Sequence, residues 1–377
     1  MTRVLTLVSR SETQLLSMQK HKFRYFRGAK SDKPMSNTPR DLSVASPAIV
    51  VELLQGARRT KTMCAGVALG VFDALDGQSR SADTLAKMLA CDCQALERLL
   101  NALVGLQLLE VHADQYANSS VAQTYLTSTS PRRMTGYLNY TNAVGWELWG
   151  KLEDAVREGS SRWKQCYGWD EPIFSSFFKS DEAATEFLMG MHGFGVISSP
   201  ALVNAIDLGR FRHLVDLGGA TGHLAIAACQ RYSELTATVL DLPQAVPLAK
   251  KITGQSNVAA RVQVLAGDFF NDPLPPADLY ALGRIVHDWN LEKIQRLLAK
   301  IYVSLPAGGG LLIAEKMLNN DKSGPSWAQM QDLNMLVCTE GQERTLAEYG
   351  ALLFDAGFGT VSGYRTDTPI DGVLAIK

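Results

Sequence analysis

Among six histidines, His287 alone falls just past an apolar run, residues 278–282, within Gly283-Arg284-Ile285-Val286-His287-Asp288-Trp289. An imidazole with an ordinary pKa near 6.5 is largely neutral at pH 7 and can take a proton from a hydroxyl. His21, His112, His192, His213 and His223 have no such address and read as structural. Further upstream, Asp216 closes the run 214–217 and is followed by Gly218-Gly219-Ala220-Thr221-Gly222. Small residues there let the main chain pass close to a ligand at the carboxyl end of a first strand. A dinucleotide loop needs G-x-G-x-x-G, but counting from Gly218 its later glycines are Ala220 and His223; a Walker loop needs a lysine after Gly222. NAD and ATP are disfavoured. Asp241, followed by Leu242, ends the next run and suits a ribose diol; Asp268, followed by Phe269 and Phe270, suits an adenine amino group and ring face. Each acid alone could be a helix cap, but three successive strand ends with acids or small residues describe a nucleoside site.

Those residues need a sheet to bring their ends together. After about residue 205, apolar runs at 214–217, 237–240, 262–265, 277–282 and 310–314 alternate with helical windows. Strand and helix in alternation predict a parallel sheet covered on both faces. The preceding half reads differently. Residues 45–74 have apolar positions at helical spacing, Ser81 is placed as an N-cap, and 93–105 carry Leu96, Leu99, Leu100, Leu103 and Val104. Brief strands at 106–111 and 116–117 around a turn complete a winged-helix pattern. Such a unit is most often a DNA reader, yet its second helix carries Glu97 and Arg98 and no basic stripe, which disfavours nucleic acid. Residues 120–204 continue helical and aromatic-rich, with Trp146, Trp149, Phe174, Phe177, Phe178, Phe187 and Phe194 among them. Core and subunit contacts account for most of these, and a few can line an aromatic pocket.

At 377 residues the chain exceeds one usual domain, and 46% hydrophobic with 20% charged residues is a folding composition. Thirty-seven basic against 38 acidic residues give a formal charge of -1, so no overall attraction draws it to nucleic acid or anionic lipid. Six scattered cysteines point to a reducing compartment, and Cys91-x-Cys93 lacks the second pair that a metal site would need. No apolar window reaches the length of a membrane span. Residues 1–34 carry eight basic and two acidic side chains, with an apolar stretch at 4–8 too short for a secretory signal. Residues 1–40 are therefore read as a tail outside the fold, serving as an organelle transit peptide or preceding a true start near Met35. Residues 41–204 form a helical domain and 205–377 the sheet domain, in a cytosolic protein.

The set Val215-Asp216-Leu217-Gly218-Gly219, Leu240-Asp241-Leu242-Pro243, Gly267-Asp268-Phe269-Phe270, His287-Asp288-Trp289 and Gly341-Gln342-Glu343-Arg344-Thr345 resembles the cation-independent small-molecule O-methyltransferases. The resemblance runs from about residue 45 to the C-terminus and is most like the acetylserotonin O-methyltransferase branch. It implies a Rossmann-like class I methyltransferase sheet behind an N-terminal winged-helix-like dimerisation domain, in a homodimer using S-adenosylmethionine and no metal. It implies His287 as base flanked by Glu315 and Glu343, with Asp288 and Arg284 at the site, Arg284 nearer the cofactor. Asp216, Gly218, Gly219, Gly222, Asp241, Leu242, Asp268 and Phe269 would hold the cofactor, and Asn334 and Cys338 would touch the substrate. Two departures stand out: Ala220 replaces a glycine of the family's run, at small cost for so small a side chain, and Cys338 stands where the branch carries glutamine. The expected reaction is methyl transfer to a hydroxyl of a small phenolic or hydroxyindolic acceptor. Its rivals are carbon or nitrogen methylation, decarboxylation or hydroxylation on the same scaffold, a catalytically silent cofactor-binding protein, and a DNA-binding regulator.

Overall fold

A computed structural model describes residues 4–8, 46–169 and 180–377. Its first strand is β1 (Val4–Val8). The helical half then opens with Ala48–Ala68 and Val71–Ala74, continues through Ala82–Leu89 and Cys93–Gly105, and ends in the hairpin β2 (Leu109–His112) and β3 (Gln115–Asn118). Capping fixes these starts: the Ser81 hydroxyl accepts from the Thr84 N–H and the Asp92 carboxylate from the Ala95 N–H at 2.8 Å. The wing starts later than expected because Leu106 caps the preceding helix and Gln107 turns through a left-handed φ of 60°. Val71, Phe72, Leu85, Leu96, Leu100 and Leu103 form a core of their own, whereas Ile49, Val50, Val51, Leu53 and Leu54 leave the first helix with an exposed apolar side.

Helix Asp181–Ala205 joins this half to the sheet. It carries Pro200 within its length; the Phe194 end packs against helix Thr135–Tyr140, and Leu202 and Val203 enter the core beside the sheet. The sheet strands follow as β4 (His213–Leu217), β5 (Thr236–Asp241), β6 (Val262–Ala266), β7 (Leu279–Gly283), β8 (Gly310–Glu315), β9 (Thr360–Tyr364) and β10 (Asp371–Ile376). The spatial order is β1-β9-β10-β8-β7-β4-β5-β6. Strands β4 to β8 are parallel, as their sequence texture predicts, and alternate residues feed two cores: Val215, Tyr280, Leu282 and Leu311 on one face, Leu214, Leu279, Ala281 and Leu312 on the other. Two expectations need correction. The sheet is mixed, because β10 runs antiparallel to β8 and β9 and buries most of its residues. Residues 1–40 are also not wholly outside the fold, since Val4–Val8 pair antiparallel with Thr360–Tyr364. That strand satisfies the N–H and C=O row that β9 would otherwise leave at the sheet edge. The rest of the expected tail, and Phe174, Phe177 and Phe178, lie outside the described residues.

Candidate active site

The carboxyl ends of β4 to β8 surround one side of a cavity of about 690 Å³, and the helical half closes the other. Gly218 adopts a φ of 69°, and a Cβ there would meet the Ile285 side chain at 2.6 Å and the Phe269 ring at 3.2 Å. Only glycine fits both the conformation and the space. Ala220 shares the left-handed region at φ 49°, so the expectation of small cost fails on conformation rather than size: an L residue carries about 1 kcal/mol or more there. A hydrogen bond offsets it, the Ala220 N–H reaching the Asp241 carboxylate at 2.7 Å. Asp241 also receives the Leu242 N–H at 2.7 Å, and burial holds its pKa above the ordinary value.

Asp216 is 2% exposed, and its Oδ2 has no hydrogen-bond partner among the described residues. Burial, reinforced by the neighbouring Asp241 charge, pushes its pKa up to about 7. Asp268 lines the cavity while bonding its own turn, receiving the Phe270 N–H at 2.8 Å and the Asn271 amide at 2.6 Å. Phe269 turns a ring toward the same space, 4.8 Å from Phe270. An orphaned buried carboxylate, a tight main-chain turn, a second carboxylate and an aromatic face suit a ligand with an amino-acid end, a ribose and a purine. The residues fit S-adenosylmethionine.

His287 sits on a one-turn 3-10 helix, Val286–Asp288, just after Arg284, which is itself left-handed at φ 57°. Its ring is 5% exposed and its Nδ1 lies 2.7 Å from Glu343 Oε1, while Nε2 lies 3.8 Å from Asp288 Oδ1. Burial alone would lower the pKa of His287, but the carboxylates of Glu343, Glu315 and Asp288 outweigh it and raise the ring to about 10. Asp288 in turn is pushed up to about 7, by burial first and then by Glu315 and Glu343 against the pull of His287. Glu343 shares the ion pair with His287 and titrates above its ordinary value through burial.

Glu315 does not bond the ring. Its Oε1 accepts the main-chain N–H groups of Ile285, Val286 and His287 at 3.0, 2.7 and 3.2 Å, and its Oε2 accepts the Tyr349 hydroxyl. Ligand-type atoms of His287, Glu315 and Glu343 lie within 4.8 Å of one another, the grouping of a metal site, but these hydrogen bonds already engage the Glu315 oxygens and His287 Nδ1. Glu343 reaches His287 because Gly341 lets two main chains touch: a Cβ there would stand 2.2 Å from the His287 carbonyl oxygen. The Asp332 carboxylate receives the Glu343 N–H at 2.9 Å, and Arg344 donates to the Val286 carbonyl at 3.3 Å. Asp332 and Tyr349 carry no sequence signal of their own, whereas Gly341 and Arg344 fall within the Gly341-Gln342-Glu343-Arg344-Thr345 motif, which does not reveal their partners.

The opposite wall is aromatic. Tyr137, Tyr140, Phe187, Phe194 and Trp327 line it, with Tyr137 edge-on to Phe194 at 4.7 Å and the Arg284 guanidinium 5.0 Å over the Phe194 ring. Asn334 lines the cavity but spends its Oδ1 on the Trp149 indole N–H at 2.9 Å and on the Cys338 thiol at 3.6 Å. Cys338 is buried, which pushes its thiol up to about 12. Two histidines read as structural stitch the walls together. His192 Nδ1 lies 2.8 Å from the Thr221 hydroxyl and His223 Nδ1 lies 2.9 Å from that of Ser199. Burial lowers them to about 4 and about 3, so both are neutral.

Comparison with known proteins assigns residues 149–359 to an O-methyltransferase domain model and 51–128 to an O-methyltransferase dimerisation domain model. Acetylserotonin O-methyltransferase of Gallus gallus is 38% identical over 338 residues, which span 88% of this chain and 97% of that protein. The crystal structure of human N-acetylserotonin methyltransferase in complex with SAM matches with a TM-score of 0.83 at 34% identity, over 89% of this chain and 99% of that one. PigF with SAH matches with a TM-score of 0.80 at 27% identity, over 88% and 100%.

Proposed function

The chain belongs to the S-adenosylmethionine-dependent O-methyltransferases that carry an N-terminal dimerisation domain, and from that premise we propose that it methylates a hydroxyl of a small phenolic or hydroxyindolic acceptor with His287 as general base. The observation that carries this is the His287 ring itself: Nδ1 is committed to Glu343 at 2.7 Å, and the ring lines the cavity with Nε2 left to meet an acceptor. When bound, S-adenosylmethionine supplies a methyl group on a sulfonium centre. Asp216, Gly218, Gly219, Gly222, Asp241, Leu242, Asp268 and Phe269 would hold it at the strand ends, with Arg284 beside them.

The flat aromatic wall opposite suits an aryl acceptor slotted between rings, its hydroxyl turned to His287. Nε2 takes the hydroxyl proton, Glu343 fixes the tautomer and steadies the imidazolium, and the alignment of reacting atoms at about 3 to 3.5 Å completes the task. Because the carboxylates raise His287 to about 10, its base form grows as pH rises, and turnover climbs into the alkaline range. His287 gives up its proton more readily with a cation bound beside it. Cys338 in place of an amide side chain favours acceptors that do not present an acetamide for recognition there.

The same reading takes the exposed apolar side of Ala48–Ala68 as the surface of a homodimer, and the six unpaired thiols as fitting the cytosol. Among the described residues no helix is long and apolar enough to cross a membrane. His287→Ala tests the base directly. Turnover with a cognate phenol should fall by about 10² to 10⁴ while calorimetry finds cofactor affinity within a few-fold; turnover surviving within a few-fold overturns the assignment.

A further inference from the structure

Glu315 ends β8 beneath the His287 turn, and its two oxygens have different partners. Oε1 gathers the three N–H groups of Ile285, Val286 and His287, and Oε2 meets the hydroxyl of Tyr349 in helix Leu346–Asp355. Glu315 is 2% exposed and Tyr349 is fully buried, so water is not available to replace either contact. We infer that Tyr349 is a positioning residue whose hydroxyl orients Glu315 and thereby holds the main chain that carries His287 toward the acceptor.

The argument is one of hydrogen-bond accounting. Tyr349 is the one donor that Oε2 has among the described residues. Without it half of a buried carboxylate is unsatisfied, a deficit relieved by rotating Oε2 toward another donor, which carries Oε1 out of line with its three N–H groups. That rotation weakens the three N–H bonds, which are charge-assisted and depend on Oε1 facing them. The turn cannot hold itself well, because Arg284 immediately before it sits at φ 57°, a conformation that needs outside support. One short segment delivers both supports. Glu343 and Tyr349 are six residues apart, and between them Thr345 and Glu348 close a capping box that fixes where the helix begins. Burial and the nearby Glu315 charge raise the Tyr349 phenol well above its ordinary value, so it remains a donor across the working pH range.

The inference rests on the reading of His287 as base. The groups facing that ring are Glu343 at Nδ1, Asp288 near Nε2 and Glu315 beneath it, with Arg284 before the turn and Arg344 donating to the Val286 carbonyl. The carboxylate of Glu315 raises His287, so turning that charge away from the ring, or removing it, lowers the pH at which the base form appears.

Tyr349→Phe removes a single oxygen. Turnover is expected to drop about 10- to 100-fold, as sub-ångström to ångström misplacement of a reacting group does, with the KM for S-adenosylmethionine held within about twofold. The midpoint of the alkaline rise in kcat/KM is expected to move to lower pH by about half a unit or more. A merely structural tyrosine would lower Tm and leave that midpoint in place, so a pH profile that overlays the parent's, with turnover within twofold, overturns the inference. Should Tyr349→Phe fail to fold, Glu315→Gln keeps an oxygen acceptor and loses the charge; it should show the same acidward shift, and an unmoved midpoint again overturns it. His287→Ala separates the two levels: surviving turnover there defeats the base reading itself, whereas a large loss there with an unmoved Tyr349→Phe profile defeats only the role of Tyr349.

Discussion

The two walls of the cavity are built from different materials. At the strand ends the ligand-facing groups belong to main-chain turns and short carboxylates, each tied to its neighbour: Ala220 to Asp241, Leu242 to Asp241, Phe270 to Asp268. Across from them the wall is made of side chains, Tyr137 and Tyr140 on one helix, Phe187 and Phe194 on another, Trp327 and Asn334 on a third. A main-chain turn changes only when the fold changes, so it commits the protein to one ligand chemistry. A side chain on a helix surface can be exchanged without disturbing its backbone, so the second wall is free to follow a different acceptor.

If that contrast is right, the seam between the walls should be the most sensitive to conditions. His192 and His223 are neutral in the fold at about 4 and about 3, against about 6.5 when unfolded. For a base depressed by folding, the unfolded chain binds more protons, so stability is complete above about pH 6.5 and is lost as pH falls toward 4. His192 alone accounts for about 3 kcal/mol over that span. Asp216, Asp288 and His287, all raised by folding, gain stability over the same span, so the readout is the difference between proteins: from pH 7.5 to 4.5 in urea melts, the parent should lose about 2 to 3 kcal/mol more than His192→Gln, and equal changes in the two would dissolve the seam. Next, Gly218→Ala should raise the KM for S-adenosylmethionine about 100-fold and leave that for the acceptor nearly alone, as initial rates against each substrate will show. Cys338→Gln should do the reverse, shifting the kcat/KM ratio between acetamide-bearing and plain phenols about 10-fold through one regained hydrogen bond to the amide. The smallest effect belongs to Ala220→Gly, which relieves a left-handed alanine at the expense of unfolded-chain entropy and should stabilise by up to about 1 kcal/mol in thermal melts. A Gly218→Ala enzyme that lost acceptor binding first would break the division of labour between walls.

The first wall was legible in the sequence residue by residue, whereas of the second only Asn334 and Cys338, by resemblance, and an aromatic-rich stretch were legible, for a physical reason. Asp216, Gly218, Asp241 and Asp268 each stand at the end of a recognisable apolar run, so sheet topology alone gathers them. Tyr137, Phe194 and Trp327 meet only because three helices cross, and nothing local marks an aromatic residue as facing a cavity rather than a core. The antiparallel edge was hidden for another reason. Strands β9 and β10 are as long as the others but follow each other without the intervening helix that marks the parallel strands, and β1 lies at the far end of the chain from its partner, so no local hairpin signal ties it to the sheet. Glu315 shows a third limit. Its identity and its nearness to His287 were expected, but a carboxylate that bonds main-chain N–H groups looks in sequence like one that bonds the ring.

Helix Asp181–Ala205 gives the two walls a mechanical relation as well as a chemical one. Leu202 and Val203 anchor one end in the sheet core, Phe187 and Phe194 hang from the other, and Pro200 removes one rung of hydrogen bonding between them. From Pro200 to Phe187 is thirteen residues, about 20 Å at 1.5 Å each. A bend of about 5° at the proline therefore sweeps Phe187 through about 2 Å. The aromatic wall is mounted on a lever whose fulcrum sits on the sheet, and small angles there become whole atomic radii at the acceptor.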